Sequence, residues 1–93
     1  MNTTQQKING QNFYKQGKYR EASEEFSKAQ VENPGDAELA FNLGSSYYRL
    51  GDYKNAETAF QKALHLAKEE KFQAQIHYNL GNNQFQMGKL QDS

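Results

Sequence analysis

Apolar and small residues recur along this chain at helical spacing, and the whole pattern repeats after about 34 residues. The central copy lies between Phe41 and Leu64 and holds Gly44, Tyr47, Gly51, Tyr53, Ala56, Phe60 and Ala63. The preceding copy reads Gly10, Phe13, Gly17, Tyr19, Ala22, Phe26 and Ala29, and the following one begins with Leu80, Gly81, Phe85, Gly88 and Leu90. A self-similar unit of this length is typical of helical repeat arrays, in which each unit buries its apolar stripe against its neighbours.

The spacing within each copy predicts two helices, because apolar residues three and four positions apart share one helix face. Five helices are predicted, over residues 4–16, 19–32, 37–50, 53–71 and 73–87. Gly17 and Gly51 should end the first and third helices, since glycine readily adopts a positive φ. Residues 33–36 should form a turn, with Asp36 as the N-cap of the third helix. No stretch alternates with a period of two for long enough to indicate a strand.

The third copy departs from the 34-residue interval, since it starts three residues late. We interpret residues 68–71, Lys-Glu-Glu-Lys, as an extra turn at the end of the fourth helix, where the first copy has Pro34. Gly88 is expected to end the fifth helix, and residues 89–93 to begin a sixth. The C-terminal helix would then leave one apolar side uncovered.

Composition and charge argue against several classes of function. Eleven Lys and Arg balance eleven Asp and Glu, so the chain has no basic footprint for nucleic acid and no polybasic membrane patch. No apolar run is long enough for a membrane span, and the start of the chain lacks a signal-peptide core. There is no cysteine. The sequence indicates a soluble chain of unknown compartment, cytoplasmic or periplasmic if the source is bacterial.

Catalytic and metal-binding residues are not indicated. His65 and His77 lie on different predicted helices, with no cysteine or suitably spaced acid to complete a metal site. The paired carboxylates at 24–25 and 69–70 are expected on solvated faces. We therefore expect no enzyme, no metal and no cofactor.

The repeated pattern closely resembles the tetratricopeptide repeat (TPR), a helix–turn–helix unit that holds partner proteins. The second copy has the typical residues Leu43, Gly44, Tyr47, Ala56, Phe60 and Ala63. The resemblance implies an all-α fold, an α–α superhelix or TPR solenoid of about two and a half repeats and five helices, in one domain over residues 1–93. The repeats would span about 3–36, 37–70 and 74–93, the last a half repeat. Residues 75–93 are also weakly similar to TPR proteins of bacterial aerotolerance operons.

In TPR arrays the first helix of each repeat lines the concave face, where a peptide or protein segment binds. Carried onto this chain, that register predicts a binding surface of Lys7, Gln11, Tyr14, Phe41, Asn42, Ser45, Tyr48, Arg49, Tyr78, Asn79, Asn82 and Phe85. Amide side chains there can bond a peptide backbone, and aromatic rings can stack on side chains. For Tyr48 and Phe85 the alternative is packing between neighbouring first helices.

Some members of the family grip a C-terminal carboxylate of chaperone partners, with Lys and Asn on the first helix, Asn on the third, and Lys and Arg on the fifth. The matching positions here are Lys7, Gln11, Asn42, Gln75 and Asn79. The two cations of the fifth helix are absent, so binding of an acidic tail by this clamp is not expected.

Two functions remain open at this point. The first is a protein–protein interaction scaffold that uses the concave face. The alternative is a self-assembly module, in which two copies form a homodimer through the C-terminal helix. The apolar residues of that region are Tyr78, Leu80, Phe85, Met87 and Leu90.

Overall fold

The computed structural model describes residues 2–92, apart from the side chain of residue 92. It contains five α-helices: α1 (Thr3–Lys15), α2 (Tyr19–Glu32), α3 (Ala37–Arg49), α4 (Tyr53–Leu66) and α5 (Glu70–Asp92). The described residues include no strand. The predicted all-α fold of five helices is therefore confirmed. The first and last positions of the predicted domain, residues 1 and 93, lie outside the described residues.

Short-range signals in the sequence place most helix ends. The carboxylate of Asp36 accepts a hydrogen bond from the backbone N–H of Leu39 at 3.1 Å, as an N-cap should. Asp52 caps α4 in the same way through the N–H of Asn55. Gly17 and Gly51 have φ angles of +77° and +78°, which end α1 and α3 in the left-handed region.

The helices pack as two antiparallel pairs with α5 added at one end. The α1–α2 and α3–α4 pairs meet where α2 contacts α3, and α5 covers α4. Two buried clusters fill the layers, centred on Phe26 and Phe60, which are both 1% exposed. Each ring is surrounded mainly by alanines and leucines, so the repeat pattern read from the sequence corresponds to the core.

Gly10 and Gly44 allow the paired helices to approach closely. A Cβ atom on Gly10 would lie 2.6 Å from the Phe26 ring, and one on Gly44 would lie 2.7 Å from the Phe60 ring. Both distances are far below ordinary van der Waals contact, so each phenylalanine occupies the space that a larger residue would need.

The predicted end of α4 at residue 71 is wrong. The helix ends at Leu66, and Ala67 is extended with φ −70° and ψ 134°. Ala67 is only 7% exposed, and its carbonyl accepts a hydrogen bond from Gln73 Nε2 at 2.9 Å. The extra turn belongs instead to α5, in which Gly81 lies eleven positions after the first residue, Glu70. In α3, Gly44 lies only seven positions after the first residue, Ala37.

The predicted break at Gly88 is also wrong. The helix α5 continues through Gly88 to Asp92, so residues 89–92 extend it and do not begin a sixth helix. A glycine inside a helix costs only about 1 kcal/mol relative to alanine, and the residues around it here are good helix formers. Leu90 therefore lies on α5 itself, where it is 62% exposed.

Candidate functional site

Two adjoining cavities open on the side of the molecule formed by α1, α3 and α5. A cavity of about 230 Å³ is lined by Tyr14, Ser45, Tyr48, Arg49, Phe60, Asn79 and Asn82. A second, of about 410 Å³, is lined by Gln11, Tyr14, Lys15, Phe26, Phe41, Asn42 and Ser45. Because Tyr14 and Ser45 border both, we treat the two cavities as one surface, the concave groove. Nine of the twelve predicted binding residues line it.

Three predicted residues lie outside the groove. Tyr78 and Phe85 are on α5 and line neither cavity, with exposed fractions of 70% and 66%. Lys89 Nζ lies over the Phe85 ring, 5.7 Å from its centroid. Lys7 is occupied by two intramolecular ion pairs. Lys7 shares Glu38 with the groove residue Gln11, but it lines neither cavity. Tyr78 and Phe85 line neither cavity either.

Two of the groove aromatics also hold the helices together. Phe41 packs against Phe60, with ring centroids 5.8 Å apart, and edge-on against Phe72 of α5 at 5.4 Å. Tyr48 packs edge-on against Tyr53 of α4 at 5.6 Å. Phe41 thus packs between the neighbouring first helices α3 and α5, the role that was considered for Tyr48 and Phe85. The Phe41 and Tyr48 rings each offer only part of their surface to a ligand.

Three asparagine amides are available in the groove. Asn42 comes from α3, and Asn79 and Asn82 come from successive turns of α5. Over residues 2–92, the side-chain amides of these three residues have no protein hydrogen-bond partner. An amide offers both a donor and an acceptor, so the groove can pair with the backbone of an extended chain.

Arg49 lies at the edge of the groove and is positioned by two tyrosines of the preceding repeat. Its Cζ lies 5.8 Å from the centroid of the Tyr19 ring. A hydrogen bond to the Tyr14 side chain raises the pKa of the Arg49 guanidinium, which stays charged. Tyr14 and Tyr19 in turn pack edge-on, with centroids 5.1 Å apart. This cluster orients a cation toward the groove through cation–π and hydrogen-bond contacts.

On α1, the side chains at the carboxylate-clamp positions form contacts within this chain. Lys7 Nζ lies 3.2 Å from Asp36 Oδ2 and 3.3 Å from Glu38 Oε1. Gln11 Nε2 also donates to Glu38 Oε1, at 3.4 Å. Burial lowers the pKa of Lys7, but Asp36 and then Glu38 outweigh this effect and the pKa is raised. Both α1 residues at the carboxylate-clamp positions, Lys7 and Gln11, are therefore engaged by carboxylates of this chain.

Sequence reasoning missed one buried polar residue that supports the groove. Asn83 is 0% exposed, and its Nδ2 donates to the backbone carbonyl of Tyr53 at 2.8 Å, which joins α5 to the start of α4. Its repeat counterpart Ser46, 37 residues earlier, is also fully buried. The equivalent repeat positions of Ser46 and Asn83 are the sequence signal from which the burial of Asn83 could have been predicted.

The described residues show no grouping of three or more His, Asp or Glu side chains suited to a metal ion. No helix in the described part of the chain has the length and apolarity required to cross a membrane.

Comparison with known proteins identifies the family. A family model described as Tetratricopeptide repeat matches residues 9–71. This chain belongs to the tetratricopeptide repeat family. TPR domains are in general interaction modules without catalytic activity.

Two curated relatives support the assignment. The TPR chain is 31% identical over 87 residues to RNA polymerase II-associated protein 3 of Rattus norvegicus, and equally to that of Mus musculus. The match covers 94% of this chain but only 13% of either relative. Because these relatives are mammalian, the bacterial source suggested by the aerotolerance likeness has no support among them.

Solved TPR structures show the same architecture. The first TPR of Spaghetti (RPAP3), bound to the HSP90 peptide SRMEEVD, superposes with a TM-score of 0.83 at 28% identity, covering 96% of this chain and 68% of that one. The second TPR domain of human RPAP3, in complex with the HSP70 peptide SGPTIEEVD, has a TM-score of 0.79. This second match covers 97% of this chain and 76% of that one. Because the identity is only 24%, it shows the fold alone.

Proposed function

We propose that this TPR chain is a protein–protein interaction scaffold that binds a peptide segment of a partner protein in the concave groove. The observation that carries the proposal is the groove itself, in which three unpartnered asparagine amides lie beside half-buried aromatic rings. Such a surface suits an extended chain, because amides pair with its backbone while rings receive its side chains. The peptide complex of a structural neighbour supports the same class of ligand.

The proposal is tested with a random peptide library displayed against the immobilised chain, followed by affinity measurement on the selected peptides. The double substitution Asn42→Ala/Asn79→Ala removes two groove amides. We expect about a tenfold loss of affinity, because the backbone groups of the ligand would lose their partners on becoming buried.

A matched control removes two amides elsewhere. Asn12→Ala/Gln61→Ala alters exposed positions on α1 and α4 that do not line the groove. Its affinity should stay within about twofold of the parent. If both double variants bind the selected peptides like the parent, ligands bind outside the groove and the proposed function is wrong.

The alternative, self-assembly through the C-terminal helix, has no comparable support. It rested on an uncovered apolar side of the C-terminal helix, where Tyr78, Phe85 and Leu90 are indeed exposed. An exposed apolar stripe alone does not specify a second copy of the chain as its partner. The relatives found offer no support for a homodimer, and the two solved neighbours have peptides as their bound partners.

A further inference from the structure

The concave groove carries positive charge although the chain as a whole is neutral. Eleven basic and eleven acidic residues give a formal net charge of zero. Among the described residues that line the groove, Lys15 and Arg49 are cations and none is a carboxylate. A concave surface of one sign attracts ligands of the opposite sign. The groove is therefore suited to an acidic segment.

The cation at the α1 end cannot supply this recognition. Lys7 already pairs with Asp36 and Glu38, and Gln11 donates to the same carboxylate of Glu38. A ligand carboxylate at this position would have to displace Glu38. The α5 positions that hold cations in carboxylate-binding relatives are here the neutral Gln75 and Asn79.

Arg49 has the opposite arrangement. Among the described side chains no carboxylate forms an ion pair with it, and the guanidinium contacts the Tyr19 ring and the Tyr14 side chain. The guanidinium borders the same cavity as Asn79 and Asn82. Held by aromatic neighbours, it loses less conformational freedom on binding than a free side chain, and its planar donor array matches a carboxylate.

We propose that Arg49 binds a carboxylate of an acidic peptide, with the amides of Asn79 and Asn82 as neighbouring donors. The inference rests on the proposed function and specifies the ligand of that groove. It assigns the anion contact to Arg49 of α3, in place of Lys7 on α1 and residue 75 on α5.

The test compares peptides selected from the same library by the parent, by Arg49→Met and by Arg20→Met. Methionine keeps the unbranched stem and removes the charge, and Arg20 is an exposed arginine on α2 outside the groove. The parent and Arg20→Met should enrich Asp or Glu at one peptide position. Arg49→Met should lose that enrichment, and Arg49→Glu should replace it with Lys or Arg.

Affinities of one selected peptide then measure the contact. Changing its enriched Glu or Asp to the matching amide should weaken binding to the parent by about tenfold and binding to Arg49→Met by less than about twofold. The same peptide with an amidated C-terminus separates the two sources of a carboxylate. A loss on amidation that is specific to the parent assigns the contact to the terminal carboxylate; otherwise the acidic side chain makes it. Circular dichroism confirms that each variant is folded.

The selected peptides could show no acidic enrichment and still bind more weakly to Asn42→Ala/Asn79→Ala. That result would refute the role of Arg49 and leave the scaffold function standing. Acidic enrichment that survives Arg49→Met and is lost in Lys7→Met would place the anion contact at the α1 end and also refute the inference. Peptides insensitive to every groove substitution would reject the scaffold function itself.

Discussion

Replacing Gly44 by alanine should destabilise the protein, although alanine is the better helix former. An ideal Cβ on Gly44 would lie 2.7, 2.8 and 3.0 Å from three atoms of the Phe60 ring. The ring cannot retreat into solvent, because it is 1% exposed and packs against Phe41 at a centroid distance of 5.8 Å. The helices or the ring must therefore shift.

The magnitude follows from two opposing terms. Overpacking a well-filled core costs about 1–3 kcal/mol, and contact with three ring atoms places Gly44→Ala near the upper end, at about 3 kcal/mol. Helix propensity returns about 1 kcal/mol. The net loss of unfolding free energy is then about 2 kcal/mol, which lowers the Tm by roughly 8–16 °C for a domain of this size.

Gly81 provides the matched control, because it occupies the same repeat position on α5. Nothing lies within 4 Å of a Cβ placed there. Gly81→Ala should therefore show the propensity gain alone, about 1 kcal/mol of added stability. Urea unfolding followed by circular dichroism measures both variants, and an unchanged m value would show that stability has changed and not the unfolded state.

Equal stabilisation by Gly44→Ala and Gly81→Ala would refute the close approach of Phe60 to α3. A second check combines Gly44→Ala with Phe60→Leu, which removes the ring. The two costs should couple by more than about 0.5 kcal/mol, since the residues are in contact. Strict additivity would show that the alanine methyl group does not meet the ring.

Two further predictions concern polar contacts between helices. Asn83→Ala should lower the unfolding free energy by about 1–3 kcal/mol in urea titrations, because it removes a fully buried side chain that donates to the Tyr53 carbonyl; an unchanged midpoint would contradict that role. Lys7→Met should cost only about 0.5–1 kcal/mol at low salt and less at high salt, because the ion pairs with Asp36 and Glu38 are partly solvated. Since the folded-state pKa of Lys7 is raised above 10.5, this contribution should be fully present below pH 10.5 and disappear as the pH rises through the folded-state value. A Lys7→Met cost that is the same at neutral pH and well above the folded-state pKa would contradict it.

The local sequence by itself determined the helices and most of their ends. Gly17 and Gly51 take positive φ, and Asp36 caps α3, because turn and cap preferences act within a few residues. The repeated Gly and Phe positions also identified the core, since a 34-residue period places equivalent side chains in equivalent layers. The TPR resemblance implied that the first helices line the concave face, and nine of the residues that it placed there line the groove.

Only the tertiary structure decided where α4 ends and which cations are free. Residues 67–71 contain no glycine or proline, so no local signal predicts a break there. The helix ends where Ala67 is buried and its carbonyl accepts a hydrogen bond from the Gln73 side chain. Likewise, Lys7 and Arg49 have the same predicted location on the concave face. Lys7 pairs with acids about 30 residues away. Arg49 contacts tyrosines about as distant and has no ion pair among the described residues. Contacts between residues this far apart depend on helix packing, which the spacing of residues along the chain does not specify.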